Sequence, residues 1–286
     1  MNFPSSNNPL SKHFRHPKLF IRLPSEGNFY RTGSLERTVN NEYPVLAMTA
    51  KDELMIKTPD ALLNGQSTVS VIQSCIPNIK DAWSVPSIDV DAILIAIRIA
   101  TYGEKLEIEA EVPTTKTVRA YEVDLRMLLD QLNSAEYDNI VTVNNIKIEL
   151  APTTYKDFTD LSLKTFEEQR IFKLLDNNEL SDLEKLAKFN ESFTRLTDLN
   201  ISVVSKSIVA VQFENEDPVT DKNHITEFIN NCDKEIFQAI LEHVDVQKKK
   251  FAIKPLEVNS SPEDLESGAP PKFLVPISFD QSNFFG

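Results

Sequence analysis

Glycine is scarce in this chain of 286 residues: there are six, and none lies between residues 104 and 267. So few cannot furnish a glycine-rich phosphate loop, and no G-x-x-x-x-G-K run is present. Cysteine is scarcer still. Cys75 and Cys232 stand far apart, neither in a Cys-x-x-Cys pair. That excludes a disulfide framework and a four-thiolate zinc site, and it fits a reducing compartment. Among the four histidines, His13 and His16 have no third ligand near them and read as solvated. There is no H-E-x-x-H and no G-x-S-x-G. The longest apolar run is "AILIAI", residues 92–97. A bilayer span needs roughly 20 apolar residues, so this run reads as a buried helix and no membrane span is expected. The N-terminus lacks the apolar core of a secretory signal.

Positive charge is also short, with 30 Lys and Arg against 43 Asp and Glu, for a net charge of -13. Phosphate contacts need clustered cations, so nucleic acid is not an expected partner. Lys12, Arg15, Lys18 and Arg22 all precede the first acid, Glu26. They make residues 1–17 the core of a basic, extended arm that reads as solvated or partner-facing.

What remains is ordinary globular composition, 41% hydrophobic and 26% charged, and its patterning predicts an α+β fold. Residues 18–152 read as a domain with a helical core and two β-hairpins. "KLFIRLP" alternates as a strand. "TPDALLNG" carries Thr58 as an N-cap and Pro59 at the first helical position. "QSTVSVIQSCI" puts Val69, Ile72 and Ile76 on one helix face, ended by Pro77. "SIDVDAILIAIRIATYG" has Ser87 as cap, Asp89 and Asp91 in its first turn and Gly103 at its end, and is apolar on almost every side. It should be the central helix. Strict alternation predicts hairpins at 105–112 with 117–125 and at 140–150, the second on Asn144-Asn145. Glu107, Glu109 and Glu111 then form the solvated face of a strand. Trp83 reads as core packing or as a contact.

Residues 153–254 read as a helical region. Within it, Ser181 and Glu184 match a capping box, and Leu186, Phe189, Phe193 and Leu196 follow at 3–4–3 spacing. "ISVVSKSIVAVQF" either extends that helix or breaks from it. Residues 255–286 read as a flexible linker and a C-terminal strand, "KFLVPISF", with an aromatic tail. The residues themselves carry no catalytic constellation, and neither a metal nor another cofactor is expected.

Three stretches carry a resemblance: "KHFRHPKLFIRLPSEGNFY", the run from "YPVLAMTAKDELMIK" to "IATYGEKLEIE", and "FDQSNFF". They resemble the baseplate hub family of T-even-type tailed bacteriophages, most densely over 12–130 and again over 220–286. The resemblance implies a viral, non-catalytic hub subunit or hub-assembly factor. Its partners would be other hub proteins, and its place the host cytoplasm during assembly and the tail baseplate of the virion. Family members often carry Cys-x-x-Cys pairs in the middle hairpin or before the last strand. Here those positions read "EVPTTK" and "VNSSPEDLESGAPPKF", so zinc is not expected. The alternatives are an envelope-acting tail hydrolase and a cytoplasmic scaffold or regulator. Partner-binding candidates are Phe189 and Phe193, for self-association or a hub protein, and Phe279, Phe284 and Phe285. Those last three either complete the protein's own core or dock on a partner.

Overall fold

The computed structural model describes residues 10, 13–57, 65–175, 182–214 and 216–277, and the fold is α+β. Strand β1 (Pro17–Ile21) pairs antiparallel with β2 (Tyr43–Leu46). Helix α1 (Ala50–Ile56) follows, a helix not foreseen from the pattern. It opens on a capping box: Asp52 N donates to Thr49 Oγ1 at 3.2 Å, and Thr49 N donates to Asp52 Oδ2 at 2.8 Å. The helix expected from Thr58 to Asn64 lies outside the described residues. Helix α2 (Gln66–Cys75) starts at Gly65 and buries Val69, Ile72 and Cys75.

Helix α3 (Ser87–Tyr102) is the central helix that its composition demands. Ile93, Ile95 and Ile97 are wholly buried, and Gly103 at φ 96° ends the helix. The cap position falls on Pro86, one residue before the expected Ser87. Strands β3 (Lys105–Glu111) and β4 (Val118–Asp124) form the first hairpin, with Leu106 opposite Val123 on the inner face and Glu107, Glu109 and Glu111 exposed. Helix α4 (Leu125–Asn133), capped by Asp124, buries Leu125, Leu128, Leu129 and Leu132 against the same core.

A second core begins at the hairpin of β5 (Ile140–Val143) and β6 (Ile146–Leu150). Its turn, Asn144-Asn145, takes φ of 48° and 64°, the left-handed pair that a tight hairpin requires. Two long helices follow, α5 (Tyr155–Leu175) and α6 (Asp182–Ser207). The chain then breaks into β7 (Ile208–Phe213), which pairs with β6. The β-branched run at 208–211 thus ends the helix. Helices α7 (Lys222–Asn231) and α8 (Lys234–Lys250) cover this sheet, and Ile148, Leu150, Ile208, Ile225 and Ile240 meet between them.

The C-terminal part departs from expectation. Strand β8 (Leu256–Asn259) pairs with β9 (Lys272–Val275), and the short helix α9 (Pro262–Glu266) fills the stretch expected to be a flexible linker. Arg119 of β4 holds it by donating to Asp264 at 3.1 and 3.2 Å, Ser261 Oγ at 3.2 Å and Glu263 at 3.2 Å. Phe273 also packs edge-on against Tyr121 of β4. The last strand therefore returns to a partner of its own and rests on the first hairpin through side chains.

Candidate protein–protein interface on the helical hairpin

The most perturbed carboxylate is closed to any substrate. Asp89 is fully buried on α3, where Oδ1 accepts from Ser25 N at 2.7 Å and Oδ2 from Ser25 Oγ at 2.6 Å and Tyr30 Oη at 2.9 Å. Burial pushes its carboxyl up to about 6, against the pull of those hydrogen bonds. Its first-turn position is thus only part of its role. It also ties the 25–30 turn to the central helix. Cys75 is equally closed, and burial pushes its thiol up to about 12, far from a reactive thiolate.

A cleft of about 730 Å³ lies between the two cores, lined by Arg31, Asp157, Asp198, Ser205, Lys206 and Lys222. Burial raises the Asp157 carboxyl, but hydrogen bonds from Thr154 and Lys206 outweigh it and hold the group below its ordinary value. A carboxylate so paired is not poised to give or take a proton near neutrality. Among the described residues, no group of three or more His, Cys, Asp and Glu could hold a metal ion. No helix among them is long and apolar enough to cross a membrane.

The basic arm is not simply solvated. Arg15 Nη1 donates to the Ala47 carbonyl at 2.6 Å, and Nη2 donates to the Ser74 carbonyl at 2.6 Å and to Ser74 Oγ at 2.8 Å. This cation belongs to the protein's own framework. Trp83 stacks on Tyr155 at 5.8 Å, under the Lys156 ammonium, and so joins the base of α5 to the first core.

The region left for recognition is the antiparallel pair α5–α6. Its inner contact is polar. Glu168 is buried and accepts from Ser192 Oγ and from Arg195 Nε at 2.6 Å and Nη2 at 3.2 Å. Arg195 and Ser192 hold the Glu168 carboxyl below its ordinary value. The outer surface carries the apolar residues. Phe158 is 54% exposed, Phe166 58%, Leu186 57%, Phe189 46% and Phe193 60%. The sequence placed Phe189 and Phe193 on one face of the helix, and both side chains are partly exposed there. It missed Phe158 and Phe166, whose only signal was an apolar residue at an outward position. Phe279, Phe284 and Phe285 lie outside the described residues.

At 100° per residue, Phe158 lies about 80° from Glu168 around α5 and Phe166 about 160°, on the far side of that helix. On α6, Phe189 lies about 60° from Ser192, Phe193 about 100° and Leu186 about 120°. Exposed apolar residues thus stand on both helices, and Leu186, Phe189 and Phe193 share one side of α6, a surface of the kind that marks protein contacts.

Neither a search of curated proteins nor one of solved structures returned a match. The family model described as "T4 bacteriophage base plate protein" matches residues 20–255, which span both cores and the helical hairpin. The chain belongs to the T4 bacteriophage base plate protein family.

Proposed function

We propose that the protein is a hub subunit of the phage baseplate, or a factor that helps the hub assemble, and that it acts by binding other hub proteins without catalysis. The observation that carries this reading is the exposed apolar side chains of the α5–α6 hairpin. Phenylalanines at 158, 166 and 193 stand in solvent while the Glu168 carboxylate is buried against Arg195. Ordinary folding would bury the aromatics and leave the ions wet. The inverted arrangement is stable in an assembly, where a partner covers the aromatics. On this reading Phe189 and Phe193 are anchors, and Phe279, Phe284 and Phe285 supply a second contact or complete the protein's own core.

Quantitative mass spectrometry of purified phage and of baseplate intermediates tests the proposal. A hub subunit stays at fixed stoichiometry in both, and an assembly factor appears in intermediates alone. Absence from both would overturn the reading.

A further inference from the structure

The cleft of about 730 Å³ between the two cores reverses the charge balance of the molecule around it. Arg31 enters it from the segment between β1 and β2, Asp157 from the base of α5, Asp198 and Lys206 from α6, and Lys222 from the start of α7. Cations here outnumber acids three to two, in a chain of net charge -13. One pair cancels, because Lys206 Nζ lies 2.9 Å from Asp157 Oδ1. Among the described residues, neither Arg31 nor Lys222 forms an ion pair. Lys222 Nζ donates to the Ile208 carbonyl, and burial lowers its ammonium below the ordinary value with no acid to offset the shift. A cation held in this way gains from an anion that reaches it.

Ser205 supplies an independent observation. It lines the same cleft at 6% exposure, and its Oγ has no hydrogen-bond partner among the described residues. A buried hydroxyl left unpaired costs free energy that a bound polar group recovers.

Asp198 decides the kind of anion. It too has no ion-pair partner among the described residues, so a free phosphate entering the cleft meets an uncompensated carboxylate. A polypeptide meets both signs. Its acidic side chains suit Arg31 and Lys222, and its backbone N–H groups suit Asp198. The cleft is also larger than a single carboxylate needs.

We infer that the cleft between the two cores binds an acidic polypeptide segment of a partner protein, whose carboxylates are engaged by Arg31 and Lys222. This rests on the reading of the protein as one that acts by binding, and it names the chemistry of one contact.

Fluorescence polarisation of the full chain tests it, with labelled pentaglutamate and pentaglutamine peptides as probes and inorganic phosphate as competitor. The variants are Arg31→Gln and Lys222→Gln, with Lys51→Gln as a control that removes an exposed cation of α1 outside the cleft. Wild-type protein should bind pentaglutamate at least about tenfold more tightly than pentaglutamine, and less tightly as salt rises. Each cleft variant should weaken pentaglutamate binding about tenfold, and Lys51→Gln should leave it unchanged. Thermal melts show that the variants are folded, and Arg31, which is exposed, can be replaced without disturbing either core. Equal binding of the two peptides would overturn the inference, as would pentaglutamate binding that survives both cleft variants, or none at about 1 mM, a very weak affinity. Phosphate binding without peptide binding would overturn it too, since the cleft then takes a free anion. The proposed function fails separately. If the peptide does not bind but the protein is found in baseplates, only the cleft is refuted. If the peptide binds but the protein is absent from baseplates and their intermediates, only the baseplate role is refuted.

Discussion

Asp89 shows how far one side chain's role is set by residues distant in sequence. Its carboxyl sits at about 6 in the folded chain, raised by burial from an ordinary value near 4. The folded state therefore binds the proton more tightly than the unfolded state between about pH 4 and pH 6. Stability from this group is present in full below pH 4 and is lost as pH rises through 6. Urea titrations should show that loss in wild-type protein and a flatter profile in Asp89→Asn, with the difference confined to this window. Asp89→Ala removes the acceptor of Ser25 N, Ser25 Oγ and Tyr30 Oη together. Unsatisfied buried donors of this kind should cost about 3 kcal/mol in unfolding free energy at pH 7. Ile95→Asp in the same helix places an unpaired charge at a fully buried site. It should cost several kcal/mol and yield insoluble protein; a soluble variant with an unchanged melting temperature would contradict the central place of α3.

At the scale of elements, local cues were enough where an element is decided locally. The Asn144-Asn145 turn specifies its own hairpin, and the apolar run closed by Gly103 specifies α3. The capping box of α1 was equally present in "TAKD" but was masked by a short, mixed segment. The terminal strand was legible in "KFLVPISF", but its partner β8 and the helix α9 were not, because α9 is held by Arg119, more than a hundred residues away. Arg119→Ala should leave the first hairpin paired while faster amide exchange appears in α9 and β8–β9, read by hydrogen-exchange mass spectrometry. Gly65 makes a similar long-range tie. It holds φ 73°, and a Cβ there would meet Thr159 Cγ2 at 3.1 Å and Tyr155 Oη at 3.2 Å. Gly65→Ala should therefore lower the melting temperature and loosen the base of α5, which packs against the start of α2. Helical spacing alone showed that 186, 189, 193 and 196 share a face. It could not show which side of α6 meets α5, and that choice decides whether the stripe is core or surface.

At the scale of the whole molecule, the chain is a phage baseplate protein with two hydrophobic cores and a helical hairpin that carries exposed aromatics. The net charge of -13 also has a consequence for ionic strength. Added salt screens the long-range repulsion between this chain and any other acidic protein, with a Debye length of about 10 Å at 0.1 M. Contacts made through the exposed aromatic side chains should therefore tighten from low to moderate salt, where an interface built on ion pairs would loosen. Binding of baseplate components measured at two sodium chloride levels reads the sign directly. The hairpin also bears on timing: the Glu168–Arg195 and Asp157–Lys206 pairs tie the two helices together in water before any partner arrives, so the exposed aromatics are presented ready-made.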